Sequence, residues 1–320
     1  MKNIYTILTK TFSLIMMSSF FASVAVSQSH EVEPPAAAIG RWDLTVDMGD
    51  KIAPSWLEVK LSGVKTLVGY FVADGGSARP IAKVHFNGGK VSFSIPPQWD
   101  RSDKDMVFEG TLNNDKLSGT INASNGKTYT FTGLRAPLLH REKQPTWGAP
   151  IQLFNGKDLK GWHTQKPDNQ WVVENGIMKS PRSGSNIMTD QTFTDFKLHI
   201  EFRYPKGSNI GVYLRGRYEV QEEDSYGQEP SSTLFSGVYG FLTPNQMAAN
   251  PAGEWQIYDI TLVGRTVTVV ANGKEVICKQ LIPGITGGAL DSNEGEPGPI
   301  FLQGDHGPVE YRNIIITPAK

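Results

Sequence analysis

Three consecutive segments, residues 197–203, 210–216 and 218–224, alternate apolar and polar side chains with a period of two. Successive side chains of a strand point to opposite faces, so this period predicts three β-strands. If the strands are neighbours, one sheet face gathers the polar side chains of His199, Glu201, Arg203, Tyr213, Arg215, Glu219 and Gln221. Arginines fork onto oxygen pairs, while carboxylates and amides bind hydroxyls, so this face predicts a site for a polyhydroxylated ligand. A solvated sheet face without function is the alternative.

Short β-branched and aromatic runs recur along the whole chain and are separated by glycine- and asparagine-rich connectors. The connectors at 87–89, 125–126 and 272–273 supply the positive φ that hairpin turns need. No segment shows a sustained 3.6-residue period with caps, so helices are minor. The pattern predicts an all-β chain with two domains: a small antiparallel barrel or sandwich at 40–139 and a jelly-roll sandwich at 151–320. Proline-containing linkers are expected at 28–39 and 140–150.

The N-terminus carries the features of an export signal. Two lysines bracket its polar start, and an apolar stretch ends in small residues near position 27, which predicts a secretory signal peptide over residues 1–27. We therefore expect a periplasmic or secreted protein without a stable membrane anchor. The chain contains one cysteine, Cys278, so neither a lipid-modified N-terminal cysteine nor a disulfide is expected. A formal net charge of −1 gives no indication of a nucleic-acid partner.

From residue 153 onward, the chain contains a series of motifs in a recognisable order. They are LFNGKDLKGWH (153–163), WVVENGIM (171–178), FTDFKLHIEFR (193–203), SNIGVYLRG (208–216), YEVQEED (218–224), AGEWQIYDITLVG (252–264) and FLQGDHGPVEYRNIII (301–316). This region resembles the 3-keto-disaccharide hydrolase family, once known only as DUF1080. The resemblance implies a concanavalin-like (LamG-like) jelly roll and an exported bacterial enzyme acting on sugars oxidised at C3. The module ending in FTGLRAP (131–137) resembles an accessory domain found ahead of some such hydrolases.

The chemistry implied by this resemblance specifies what the site must contain. A ketone at C3 acidifies the proton at C2, so the glycosidic oxygen at C1 can leave by β-elimination and water can then add. This route needs a base, an acid for the leaving oxygen and donors for the enolate. The candidate catalytic residues are Glu219 and Glu201 as base or acid, His306 as a proton shuttle, and Arg215 as a donor to the enolate oxygen. The candidate substrate-binding residues are Gln221, Tyr213, Arg203, Trp162 and Asp224, with Trp162 expected to stack on a sugar ring.

Several other interpretations remain open at this point. Cross-strand ion pairs are the alternative for the arginines and glutamates. No cofactor is expected, although the carboxylates of Glu222, Glu223, Asp224 and Asp305 are candidate calcium ligands. The tryptophans Trp42, Trp56 and Trp99 fit core or rim positions better than sugar platforms.

Two other functions also fit the sequence. One is non-catalytic carbohydrate binding, because lectin-like folds bind sugars without chemistry. The other is a laminarinase-like retaining glycosidase, because 219–224 is similar to that family's E-x-D-x-x-E strand. Here Gln221 and Asp224 replace the last two acidic residues, and a bulge would be needed to bring Glu219 and Asp224 to one face.

Overall fold

All regular secondary structure in the described residues is β-strand. The computed structural model describes residues 36–99 and 101–320. The predicted signal peptide and most of the predicted linker at 28–39 lie outside these ranges. Within them, no helix is long and apolar enough to cross a membrane. The all-β class predicted from the sequence is confirmed.

The first eight strands form a closed antiparallel barrel in sequence order, completed by pairing of the first strand with the eighth. They are β1 (Gly40–Asp47), β2 (Ile52–Ser62), β3 (Thr66–Val72), β4 (Arg79–Asn87), β5 (Lys90–Ile95), β6 (Met106–Asn113), β7 (Lys116–Asn122) and β8 (Thr128–Arg135). Alternate side chains point inward, and four phenylalanines stack in the interior, at 71, 93, 108 and 131. Gly88 and Gly89 both have positive φ, which the tight β4–β5 turn requires.

The remaining strands form a two-sheet sandwich. They are β9 (Ile151–Gln152), β10 (Trp162–Thr164), β11 (Val172–Glu174), β12 (Ile177–Ser180), β13 (Ile187–Thr189), β14 (Phe196–Arg203), β15 (Asn209–Leu214), β16 (Tyr218–Glu223), β17 (Gln256–Val263), β18 (Thr266–Ala271), β19 (Lys274–Leu281), β20 (Phe301–Leu302) and β21 (Val309–Pro318). One sheet has the order β10-β13-β20-β15-β16, and the other has the order β11-β12-β21-β14-β17-β18-β19, with β9 beside β21. Their facing apolar side chains form the core.

The expectation that the three polar-faced strands are neighbours is wrong for β14. This strand pairs with β17 and β21, whereas β15 and β16 pair with each other in the opposite sheet. The period of two identifies the residues that share a face of one strand, but strand pairing depends on how the connections cross between the sheets. Glu201 and Arg203 therefore lie on the outer face of the other sheet. Glu201 accepts hydrogen bonds from Arg312 and Asn313, and Arg203 pairs with Glu310.

The barrel packs directly on the sandwich. The ring of Trp56 meets Phe241 edge-on at a centroid distance of 5.2 Å. Gly284 lies so close to this indole that a Cβ at Gly284 would overlap it. The backbone N–H of Gly288 donates to Asp74 O at 3.1 Å, which joins a sandwich loop to the β3–β4 loop of the barrel. This contact brings barrel residues to the edge of β15 and β16.

Candidate active site

A cavity of about 320 Å³ lies where the β15–β16 face meets the barrel. Its walls come from three sources: the two strands, the sandwich loops and two loops of the barrel. The lining residues are Gly75, Gly76, Trp99, Asn209, Tyr213, Glu219, Gln221, Tyr239, Gly287, Gly288, Gln303 and His306. The volume lies near the lower end of the roughly 300–1,000 Å³ found for small-molecule sites, so it suits a small polar ligand.

Glu219 is the buried carboxylic acid of this cavity. It lies on β16 directly opposite Tyr213 of β15, and only 4% of its surface is exposed. Its side chain lies over Gly211, where a Cβ would come within 2.5 Å of Glu219 Oε1. Burial raises the pKa of Glu219 to about 8, against the opposing effects of the Tyr213 hydroxyl and the His306 charge. At neutral pH, Glu219 is therefore mainly protonated and can donate a proton.

His306 reaches the cavity from the loop that follows β20. Its Nδ1 lies 2.7 Å from Asp305 Oδ1. The side chain of Asn186 holds this loop, because its Oδ1 accepts from the backbone N–H of Gly304 at 2.8 Å. The hydrogen bond with Asp305 raises the pKa of His306 above 6.5, and the charge of Glu219 acts in the same direction. His306 and Glu219 are thus electrostatically coupled, because the charge of each shifts the pKa of the other.

Amide and hydroxyl groups surround this pair. The backbone N–H of Gln303 donates to Gly211 O at 3.1 Å, which fixes Gln303 beside β15, and its Nε2 donates to the Tyr213 hydroxyl at 3.4 Å. That hydroxyl donates in turn to Gly287 O at 2.9 Å. Gln221 Nε2 donates to Thr233 O, while its buried Oε1 has no hydrogen-bond partner in the described residues. An unpartnered buried amide oxygen in a cavity wall is suited to accept from a ligand hydroxyl.

The structure does not place Arg215 in the cavity. β15 ends at Leu214, and Arg215 has a φ of 54°, so the alternation of side chains stops before this residue. Its guanidinium turns into the core, where Nη2 donates to the Tyr218 hydroxyl at 2.8 Å and to Gly264 O at 3.1 Å. The expected enolate contact from Arg215 is therefore not formed.

Two further predicted binding residues also lie elsewhere. Trp162 is buried, and its Nε1 donates to Leu153 O at 2.8 Å, so its ring faces the core instead of a sugar. Asp224 lies just beyond β16, where its Oδ2 accepts from the backbone N–H of Gly207 at 2.9 Å. Asp224 is not among the residues lining the cavity, so the carboxylate pair of a laminarinase-like site is not assembled with Glu219.

The proposed calcium ligands do not converge. The described part of the chain contains no group of three or more His, Cys, Asp or Glu side chains arranged to hold a metal ion. Glu222 points into the sandwich core, where its Oε2 accepts from the Tyr311 hydroxyl at 2.6 Å. Asp305 is engaged by His306 and by Asn186.

The structure brings four of the candidate residues, Glu219, Gln221, Tyr213 and His306, to one cavity. Trp42 and Trp56 are buried, whereas Trp99 lies at the cavity rim with 72% of its surface exposed. Sequence reasoning missed Gln303 and Tyr239. The position of Gln303, directly before the Gly304–Gly307 loop, was a usable signal. No local pattern marks Tyr239, because a long connection returns it to the sheet.

Comparisons with known proteins identify the family of the region that contains the sandwich. A sequence model of the 3-keto-alpha-glucoside-1,2-lyase-like domain matches residues 149–317. A 3-keto-disaccharide hydrolase of Bacteroides thetaiotaomicron is 22% identical over 166 residues, which cover 40% of this chain and 57% of that relative. This chain thus spans a little more than half the length of that relative.

Solved structures with similar architecture include two proposed glycosyl hydrolases from Parabacteroides distasonis. The first is 30% identical with a TM-score of 0.46, covering 55% of this chain and 93% of that one. The second is 24% identical with a TM-score of 0.42, covering 53% and 98%. The family predicted from the sequence motifs is confirmed by the sequence match, which spans more than half of the chain. The protein therefore belongs to the family of the 3-keto-alpha-glucoside-1,2-lyase-like domain.

Proposed function

We propose that this protein is an exported enzyme that cleaves the glycosidic bond of 3-keto-glycosides by elimination followed by hydration. Family membership supports a glycoside substrate oxidised at C3. The observation that carries the mechanism is the buried Glu219 carboxyl, whose pKa burial raises to about 8, in one cavity with His306. In this mechanism Glu219 is the acid and His306, oriented by Asp305, is the base.

The first half of the reaction breaks the glycosidic bond. Neutral His306 removes the proton from C2, and the electron pair enters the enolate of the C3 ketone. The C1–O bond then breaks with its electron pair on the oxygen, which takes the proton of Glu219 and leaves as an alcohol. The sugar becomes an enone with a double bond between C1 and C2.

The second half restores a sugar by adding water to C1. The Glu219 carboxylate accepts a proton from the attacking water, and protonated His306 returns a proton to C2. Both residues regain their starting states, and the sum is hydrolysis of one glycosidic bond. Acid and base thus exchange roles between the two halves of the reaction.

The developing enolate oxygen needs a hydrogen-bond donor, and Gln303 is suited to this role. One N–H of its amide donates to the Tyr213 hydroxyl, and the second N–H is available to a ligand. The Gln221 Oε1 without a protein partner accepts from a sugar hydroxyl. In this mechanism Gln303, and not the predicted residue Arg215, donates the hydrogen bond to the enolate oxygen.

The proposal is tested with the purified protein and matched substrates. We expect release of p-nitrophenol from p-nitrophenyl 3-keto-β-glucoside or its α-anomer, and no release from the unoxidised glucosides. Deuterium at C2 should slow the reaction, because removal of the C2 proton belongs to the first step. Binding of the keto sugar without cleavage would instead indicate a carbohydrate-binding protein, and cleavage of unoxidised β-glucans would indicate direct displacement.

The role of Glu219 is tested by Glu219→Gln with a 3-keto-disaccharide. We expect kcat to fall by about 10²–10⁴-fold, the usual contribution of acid–base catalysis, while binding of the sugar is largely kept. Glu229→Gln, at an exposed position outside the cavity, is the matched control and should retain wild-type turnover. Full activity in Glu219→Gln would show that another group supplies the proton.

A further inference from the structure

We propose that the N-terminal barrel supplies Trp99 as a stacking platform for the leaving group of the substrate. The enzyme then selects 3-keto-glycosides whose leaving group carries a ring with an apolar face, either a second sugar or an aromatic alcohol. This inference rests on the function proposed above. The inference goes beyond that function by assigning a role to the barrel, which lies outside the region that the family model matches.

Trp99 is unusual among the large apolar side chains of the barrel. Its surface is 72% exposed, yet it belongs to the wall of the cavity that contains Glu219 and His306. An indole offers a large flat apolar face and a polar N–H, which suits contact with the C–H face of a sugar ring or with an aromatic ring. Trp42 and Trp56, in contrast, are buried in contacts that leave no face for a ligand.

The barrel loops that carry this wall are held against the sandwich. A Cβ at Gly287 would overlap the backbone of Gly76, so the two loops meet at main-chain distance. Gly288 N–H donates to Asp74 O at 3.1 Å. A Cβ at Gly76 would overlap Gln98 Oε1 and would lie 3.0 Å from Trp99 Nε1. The ring is therefore positioned against a backbone segment that is itself fixed to the sandwich.

The positions of Glu219 and Trp99, one deep in the cavity and one at its rim, determine which part of the substrate Trp99 contacts. Glu219 is 4% exposed and lies deep in the cavity, so the reacting ring must enter to bring C1 and C2 to Glu219 and His306. The group attached through the glycosidic oxygen then extends outward towards the rim, where Trp99 lies.

The test compares substrates with and without a ring in the leaving group, in the full-length protein. The variant Trp99→Ala is measured on a 3-keto-disaccharide and on methyl 3-keto-glucoside. We expect KM for the disaccharide to rise about tenfold with kcat little changed, because stacking contributes equally to ground and transition states. A tenfold change corresponds to about 1.4 kcal/mol. KM for the methyl glycoside should stay within twofold of wild type.

Two further variants separate stacking from a general effect on the fold. Trp99→Phe keeps an aromatic face and should restore most of the affinity for the disaccharide. Tyr226→Ala removes another aromatic ring, which is 62% exposed and lies outside the cavity, and it should change KM for neither substrate. Thermal unfolding should be the same for all of these variants.

The outcomes distinguish this inference from the function on which it rests. If the wild-type protein cleaves neither keto substrate, both the proposed function and the stacking role of Trp99 are wrong. A second outcome is that the wild-type protein cleaves both substrates while Trp99→Ala raises KM equally for both, or for neither. That result would overturn only the stacking platform.

Discussion

Glu222 provides a quantitative test of how burial sets acidity in this fold. It follows Gln221 on β16 and points to the opposite face, into the apolar core between the sheets, where it is fully buried. The Tyr311 hydroxyl donates to Oε2 at 2.6 Å, while Oε1 has no partner among the described residues. Burial raises the pKa of Glu222 from 4.5 to about 8, although the Tyr311 hydrogen bond acts in the opposite direction. We predict that Glu222→Gln measurably reduces the pH dependence of stability.

The sign and size follow from proton linkage. Because the folded state holds the Glu222 proton more tightly than the unfolded state, its contribution to stability is fully present below pH 4.5 and is lost as pH rises through about 8. At about 1.4 kcal/mol for each pKa unit, the loss between pH 5 and pH 8 amounts to roughly 3–4 kcal/mol. In Glu222→Gln this contribution is absent at every pH.

The assay is urea unfolding followed by tryptophan fluorescence at several pH values between 5 and 8. The decrease in unfolding free energy over this range should be roughly 3–4 kcal/mol smaller in Glu222→Gln than in the wild type. The buried amide N–H of the variant lowers stability by a further ~1–3 kcal/mol at all pH values, so the slope is the diagnostic quantity. Glu229→Gln, at an exposed position, should change stability by less than about 0.5 kcal/mol. Equal slopes in Glu222→Gln and the wild type would refute the reasoning.

Three predictions concern the cavity. Glu219→Gln should lose at least about 100-fold more kcat/KM on glycosides with poor, sugar-like leaving groups than on p-nitrophenyl substrates, because p-nitrophenolate leaves without a proton; equal losses would contradict its role as acid. The wild-type kcat/KM on a 3-keto-disaccharide should also fall as pH rises through about 8, because burial raises the pKa of Glu219 to that value and the acid then loses its proton. A pH–rate profile without a decrease near pH 8 would count against Glu219 as the acid. Gly211→Ala places a methyl group within 2.5 Å of Glu219 Oε1, so we expect a roughly tenfold or larger loss of kcat in a variant whose circular dichroism is unchanged.

Local side-chain patterns predicted much of the fold but not the strand pairing. The apolar residues of β14 point inward at every second position, as the period of two indicated. Its partner strands, however, are β17 and β21, which follow it by more than fifty residues. A pattern within one strand carries no information on such distant pairing, so Glu201 and Arg203 were assigned to the wrong sheet.

The failure for Arg215 has a more local cause. The alternation of β15 placed it beside Tyr213, but a positive φ ends the strand one residue earlier. Arginine rarely adopts this conformation, and its sequence context does not indicate it. The buried polar face of β16 also escaped prediction. Glu219 and Gln221 are nearly as buried as Val220, which lies between them, because barrel and loop residues cover that face.

β16 shows why a shifted pKa alone does not identify a catalytic acid. Glu219 and Glu222 lie on opposite faces of the same strand, both are buried, and burial raises the pKa of each to about 8. Glu222 faces apolar side chains and the hydroxyl of Tyr311, so no substrate can reach its proton. Glu219 faces a cavity shared with His306, Gln303 and the barrel residue Trp99. Burial therefore sets the acidity of both carboxyls, whereas access to the cavity restricts chemistry to Glu219.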